Sequence, residues 1–182
     1  MDRRIERTRA AVVRATVELV ASRGSQVGMT EIADAAGVSR KAVYENFGSR
    51  DQVLCSATQS LLATVPLRVS ALDAERPNPW DVVLAPIAEH VEQFRDFYRA
   101  VLSGPGCFLV RDAVVDHAVT GLRDVRGRIE DSRVRDAGEC DRFIVHGLVG
   151  MIAESLVAQP GVSVQSLAHS LSAGLAESMS CC

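Results

Sequence analysis

Aromatic residues are scarce in this chain, with one Trp, two Tyr and five Phe among 182 residues. Its apolar residues recur at steps of three and four rather than two. Both features argue against strands, which favour aromatic and β-branched residues at period two. No apolar run approaches the ~20 residues that a membrane span requires. The charged start, Met1-Asp2-Arg3-Arg4-Ile5-Glu6-Arg7, leads into no short apolar segment, so no secretory signal is read there and a cytoplasmic location is expected. The five cysteines are odd in number and contain no C-x-x-C, which excludes a disulfide framework or a zinc ribbon as the organising principle. Cys55, Cys107 and Cys140 read as small buried hydrophobes, and Cys181 and Cys182 as a frayed tail. Catalytic signatures are also missing: no G-x-S-x-G, no H-E-x-x-H, no phosphate loop and no Gly-rich dinucleotide fingerprint. His90, His117, His146 and His169 are scattered and read as structural or surface groups. No enzymatic activity, cofactor or metal site is expected.

What is present is an ordinary globular composition, 47% hydrophobic and 24% charged. At this length roughly two-thirds of the extended surface is buried on folding, so no disulfide or metal is needed for stability. The net charge of −3 is unevenly spread. The first fifty residues hold nine basic and six acidic groups, a net of +3, which leaves −6 on the rest. A basic end on an acidic body suits a protein whose one end meets a polyanion.

The chain reads as helices with short breaks, and the fold class is all-α. A first helix spans about 4–23, with Val12, Val13, Thr16, Leu19 and Val20 on one broad face, and Gly24 closes it. A short helix follows at about 29–36, with Gly28 or Thr30 near its cap. Gly37-Val38-Ser39 is a tight break, and a third helix covers about 40–47, ended by Gly48. Ser49 and Gln52 form a capping box for a fourth helix that carries Val53, Leu54, Leu61, Leu62 and Val65 and meets a block at Pro66. Residues 73–79 are a loop. Helical patterns resume at about 80–102, divided near 92–96, and then at about 108–130, 139–159 and 163–180. The domain boundary is placed near 47–50, giving a three-helix domain at 1–50 and a larger helical domain at 51–182.

Three short helices with a tight turn between the second and third make a helix-turn-helix. Val43 and Phe47 are one turn apart and pack inward against Ile32, Ala33 and Ala36. Arg40, Lys41 and Tyr44 then face the other way. Eight helical residues span ~12 Å, about the width of the major groove, and the basic pair stands at the N-terminal end, where recognition helices meet base edges. Glu45 reads as a bystander rather than a cytosine reader, although a carboxylate can accept from cytosine N4.

The run Val12-Val13-x-Ala15-x-x-x-Leu19-Val20-x-x-x-Gly24, then Ile32-Ala33-x-x-Ala36-Gly37-Val38-Ser39, then Val43-Tyr44-x-Asn46-Phe47-x-Ser49-Arg50-Asp51-x-x-Leu54, resembles the DNA-binding domain of the tetracycline-repressor (TetR) family. The resemblance covers about the first 54 residues; beyond them it is one of helix arrangement. It implies that Ser39, Arg40, Lys41, Tyr44, Asn46 and Arg50 lie at or near double-stranded DNA, with Tyr44 and Arg50 on the phosphate backbone. Thr30, at the start of the second helix, completes the DNA-facing set. Lys41, Ala42, Asn46 and Arg50 stand where the family commonly has a small residue, Thr, His and Lys.

In the remaining chain, Trp80, Phe94, Tyr98 and Phe108 gather in the middle. Together with His117 they are candidates for lining a mainly apolar effector pocket, although aromatics at helical spacing equally serve as plain core. Along the eighth pattern Phe143, Gly147, Gly150, Met151 and Glu154 share a face, as do Leu167, Leu171, Gly174, Leu175 and Ser178 along the ninth. Such faces suit a homodimer built as a four-helix bundle, and the resemblance implies the same. The expected function is a ligand-responsive repressor that binds a palindromic operator and is released by a small apolar or aromatic molecule. A helix-turn-helix that has lost DNA binding would not need Arg40, Lys41, Tyr44 and Arg50, and a helical enzyme would need catalytic groups that are absent.

Overall fold

The computed structural model describes residues 3–65, 79–105, 107–129, 137–158 and 161–180. All nine elements among them are α-helices: α1 (Arg3–Arg23), α2 (Met29–Ala36), α3 (Arg40–Phe47), α4 (Arg50–Leu62), α5 (Pro79–Gln93), α6 (Arg95–Ser103), α7 (Cys107–Ile129), α8 (Ala137–Ala158) and α9 (Val164–Ser180). They fall into two compact units, α1–α4 with α6 and the start of α7 through Val114, and α5, α8 and α9 with the rest of α7.

The first unit is organised around α1. Val12, Ala15, Thr16 and Val20 are its buried residues, spaced so that one face looks inward. Thr16 satisfies its hydroxyl by donating to the Val12 carbonyl at 2.7 Å. Helices α2, α3, α4 and α6 pack around that face or one another. Turn chemistry sets the path between α2 and α3. Gly37 takes a left-handed φ of 65°, and the N–H groups of Gly37 and Val38 donate to the carbonyls of Asp34 and Ala33. That is a Schellman closure, which leaves few carbonyls at the end of α2 unmatched.

Phe94 stands between α5 and α6, inside the break expected near 92–96, and its own carbonyl accepts the Tyr98 N–H at 3.0 Å. Helix α6 has a strongly one-sided pattern: Phe97, Tyr98, Val101 and Leu102 are all buried. At its end the backbone of Gly104 comes so close to Ser25 that a Cβ there would lie 1.7 Å from the Ser25 Oγ. Only glycine fits without a shift of the neighbouring turn.

In the second unit α5 packs along α9. Leu84, Ala88 and Val91 are buried on α5, and Val164 and Ala168 on α9. The Glu92 carboxylate accepts the Val164 N–H at 3.1 Å, so one helix caps the other's N-terminus. Val145, Val149, Ala153 and Leu156 form the buried face of α8. The Arg142–Asp116 pair at 3.0 Å links α8 to α7. Among the described residues no helix is long and apolar enough to cross a membrane.

Two expectations are corrected. The fourth helix stops at Leu62 rather than carrying on through Val65 to a kink or end at Pro66, because the Thr64 N–H and hydroxyl both turn back to the Leu61 carbonyl. Cys55 and Cys107 are half-buried free thiols rather than core hydrophobes. The side chain of Cys140, and Pro66, Cys181 and Cys182 altogether, lie outside the described residues, as do 73–78 of the expected loop. Pro79 opens α5, the position where its missing N–H costs nothing.

Candidate nucleic-acid interface

An eight-residue helix is marginal on its own, so α3 depends on its surroundings. Its two buried residues are Val43 and Phe47, set against the buried Ile32 and Ala33 of α2, with Ala36 half-buried. Both ends are well satisfied. Ser39 is the N-cap, and its Oγ accepts the Ala42 N–H at 3.1 Å. At the other end the Tyr44 carbonyl accepts from Gly48 N–H and the Phe47 carbonyl from Ser49 N–H. The Asn46 carbonyl accepts from the guanidinium of Arg9, which reaches across from α1. That guanidinium also lies over the Phe47 ring, 4.6 Å from its centroid.

With the apolar side fixed inward, the opposite side of α3 is left to solvent. Ser39, Arg40, Lys41 and Tyr44 are exposed, and Tyr44 keeps 42% of its surface accessible. Arg40 folds over Tyr44, 5.4 Å from the ring centroid. Lys41 pairs with Glu45 at 3.6 Å, one turn on. Exposed pairs of this kind contribute ~1 kcal/mol or less, so Glu45 holds Lys41 only weakly. Thr30 is exposed near the start of α2. There the Glu31 carboxylate accepts the Gly28 N–H at 2.8 Å, which makes Gly28 the N-cap.

The expected DNA-facing residues thus divide. Thr30, Ser39, Arg40, Lys41 and Tyr44 are open to solvent around α3. Asn46 is half-buried, and its side-chain amide donates to the Ala42 carbonyl at 2.8 Å. Arg50 is turned inward: Nε donates to the Val27 carbonyl at 2.9 Å and a terminal nitrogen pairs with Asp51 at 2.9 Å. Its remaining Nη2 is buried without a hydrogen-bond partner. Arg9 was not among the residues singled out from sequence. Its partners Asn46 and Phe47 lie 37 and 38 positions away, and no local pattern announces such a contact.

The expected effector residues fall in different places. Phe94, Tyr98 and Phe108 belong to the first unit and Trp80 and His117 to the second. Tyr98 is fully buried with its ring edge-on to Phe97 at 5.6 Å, and burial pushes its phenol well above the usual range. Phe94 is half-buried, whereas Phe108 keeps 78% of its surface exposed. The Trp80 side chain lies outside the described residues. In the second unit the His117 Nε2 is buried and has no hydrogen-bond partner. His90 is buried, and desolvation followed by the nearby His117 holds its imidazole below the ordinary value of 6.5. An open groove between α5 and α9 is lined by Leu84, Ala88, Glu89, Gln165, Ala168 and His169, none of them among the expected pocket residues. No group of three or more His, Cys, Asp or Glu that could hold a metal ion occurs among the described residues.

Residues 12–56 match the model of the family described as bacterial regulatory proteins, tetR family. No curated protein sequence matches the chain. Solved structures match in fold. FadR of Thermus thermophilus, a TetR family transcriptional repressor in complex with lauroyl-CoA, superposes with a TM-score of 0.63 at 22% identity over 90% of each chain. AlkX of Dietzia sp., a TetR family repressor implicated in biodegradation of n-alkanes, gives 0.61 at 19% identity over 93% of this chain and 96% of that one. NalD, the secondary repressor of the MexAB-OprM multidrug efflux pump in Pseudomonas aeruginosa, gives 0.53 at 20% identity over 91% and 93%. At these identities the likeness is one of fold.

Proposed function

We propose that this chain, whose residues 12–56 match the model of the tetR family of bacterial regulatory proteins, is a DNA-binding transcriptional regulator of that family and acts as a repressor. In this reading it works in the cytoplasm as a homodimer on a palindromic operator, and a small molecule releases it. The observation that carries the DNA-binding reading is α3 itself. It is an eight-residue helix with buried Val43 and Phe47 on one side and exposed Arg40, Lys41 and Tyr44 on the other, and its basic residues cluster at the capped N-terminal end. Arg40 and Lys41 are the base-reading candidates, since an arginine can donate two bonds to a guanine edge. Tyr44 and Ser39 suit phosphates, and Thr30, Asn46 and Arg50 complete the proposed surface. The DNA-binding part is proposed within 1–50, and dimerisation and sensing within 51–182.

The dimer is proposed through α8 and α9. Phe143 keeps 81% of its surface exposed, and Met151 and Val157 are exposed on the same helix. Gly147, Gly150 and Gly174 have open space where a Cβ would be, so a second helix could approach closely there. Leu167, Leu171 and Leu175 are half-buried along α9. An exposed Phe in such a row favours a covered interface.

The effector is proposed to be mainly apolar or aromatic, carrying one or two polar groups. Of Trp80, Phe94, Tyr98, Phe108 and His117, the last has the surroundings that most favour a ligand contact. Its buried, unmatched Nε2 loses a hydrogen bond on folding that a ligand group could return. FadR of Thermus thermophilus binds lauroyl-CoA, which is consistent with a largely apolar effector here. Selection of DNA fragments from a random pool by the purified, ligand-free chain, followed by a screen for compounds that release the selected fragment, tests the reading. Recovery of one palindromic sequence and of a releasing compound supports it; binding to all duplexes alike rejects it.

A further inference from the structure

Helix α3 has its reading groups at one end and its ties to the rest of the fold at the other. Arg40 and Lys41 occupy the first turn. There Ser39 caps the helix by accepting the Ala42 N–H through its side chain and the Val43 N–H through its carbonyl. Those bonds keep the first turn helical, but they join α3 only to its own preceding residue. Val43 and Phe47 anchor the inner face by apolar burial, which is not directional and resists rotation and tilt only through shape. The directional tie to another helix sits in the last turn. From α1, Arg9 donates to the Asn46 carbonyl and covers the Phe47 ring at 4.6 Å.

That carbonyl is one of the orphan acceptors at a helix C-terminus, where a cation is also favoured by the helix dipole. Arg9 is half-buried, so solvent screens the contact only in part. The neighbouring carbonyls of Tyr44 and Phe47 are already taken by Gly48 and Ser49. Arg9 is thus the group from outside the segment that closes the end of α3. A planar guanidinium can lie on a ring and donate at its edge at the same time; an ammonium cannot do both.

The leverage is geometric. The helix is ~12 Å long, so a swing of ~10° about its C-terminal end moves the first turn by ~2 Å. Recognition groups must hold position to ~0.5 Å. We propose that Arg9 is a positioning residue for operator recognition, acting through the Asn46 carbonyl and the Phe47 ring to fix the pose of α3, without touching DNA itself. The inference rests on the DNA-binding reading above.

The test uses the full chain, the fragment recovered from a random pool, and a random duplex of equal length. Arg9→Met keeps bulk over Phe47 but removes every donor and the charge; Arg9→Lys keeps charge and a donor but not the planar stack. Affinities for both duplexes are measured over a salt series, well below each variant's melting temperature, with helix content checked by circular dichroism. A positioning role predicts that the ratio of specific to random-duplex affinity falls about tenfold in Arg9→Met, the scale of one charge-assisted hydrogen bond. Arg9→Lys falls in between, and the salt slope stays within about half a unit of wild type. A merely structural role would lower the melting temperature and leave the ratio intact. A direct phosphate contact would lower both affinities alike and make the slope about one unit shallower. Either result overturns the inference. If Arg9→Met fails to fold, Arg9→Lys reads the same ratio, and an unchanged ratio there rejects it. If wild type itself shows no preference for any selected fragment, the DNA-binding reading falls; if wild type discriminates and both variants discriminate equally, only the role of Arg9 does.

Discussion

The guanidinium of Arg40 lies 5.4 Å from the ring centroid of Tyr44 and donates to its hydroxyl at 3.3 Å. Two of the residues expected to meet DNA therefore hold each other. On the proposed reading, binding exchanges this exposed contact for contacts to a base edge and a phosphate, and little is lost in doing so, because exposed interactions of this type are weak. Tyr44→Ala is expected to weaken binding to every duplex by a similar factor. Arg40→Ala is expected to weaken binding and also to relax the preference at one base-pair position, by about 1–3 kcal/mol of discrimination. Competition binding with single-base variants of the selected site separates the two outcomes.

Much of this surface could be read from sequence because its signals are local. Gly37 and Ser39 bound the turn, Gly48 and Ser49 the end of α3, and the α2 and α3 ranges match the pattern of apolar residues, since each boundary is made by a residue whose own chemistry stops or starts a helix. The long-range contacts of the arginines around α3 are not legible in the sequence. Arg9 meets Asn46 and Phe47 across the fold, and Arg50 spends its Nε on Val27. Nothing in the residues flanking either arginine distinguishes an inward guanidinium from one that waits for phosphate. The same holds for α6. Its one-sided pattern announces burial, but not that α1 is the helix it packs against, nor that Gly104 meets Ser25.

Gly104 offers a direct probe of that packing. Gly104→Ala puts a Cβ 1.7 Å from the Ser25 Oγ and 2.8 Å from the Ala100 carbonyl, and is expected to cost about 1–3 kcal/mol. Adding Ser25→Gly removes the hydroxyl and its Cβ, and should recover part of the loss. A double-mutant cycle by urea unfolding measures the coupling; strictly additive effects would place the strain elsewhere.

His90 sets a pH dependence of stability. Burial and then His117 hold its folded-state value below 6.5, while the unfolded chain titrates near the ordinary value. Between those two values the unfolded state binds more protons, so stability rises with pH there and is lost as the solution is acidified through about 6.5 and below. Urea unfolding of wild type and His90→Gln between pH 5 and 8 checks this. The variant is expected to show a shallower decline on the acid side, and an equal decline in both proteins would remove His90 as its source.

The exposed row on α8 predicts a concentration-dependent assembly. Wild type should sediment as a dimer at micromolar concentration, and Gly150→Arg or Phe143→Asp should shift it to monomer while helix content is retained, because neither residue is buried within its own chain. A monomer in wild type at that concentration rejects the interface, and dimers in both variants would move it to another face.

The central claim is that α3 reads sequence in duplex DNA. Its most direct test is the affinity of the ligand-free wild-type chain for a fragment selected from random DNA, set against a random duplex over a range of salt. The account predicts a recovered site with two-fold symmetry, its half-sites about one helical turn or a multiple apart. Binding to it should be at least ~10³-fold tighter than to random duplex at moderate salt, and log affinity should fall linearly with log salt. Equal affinity for selected and random duplexes, at low salt and without ligand, would contradict it.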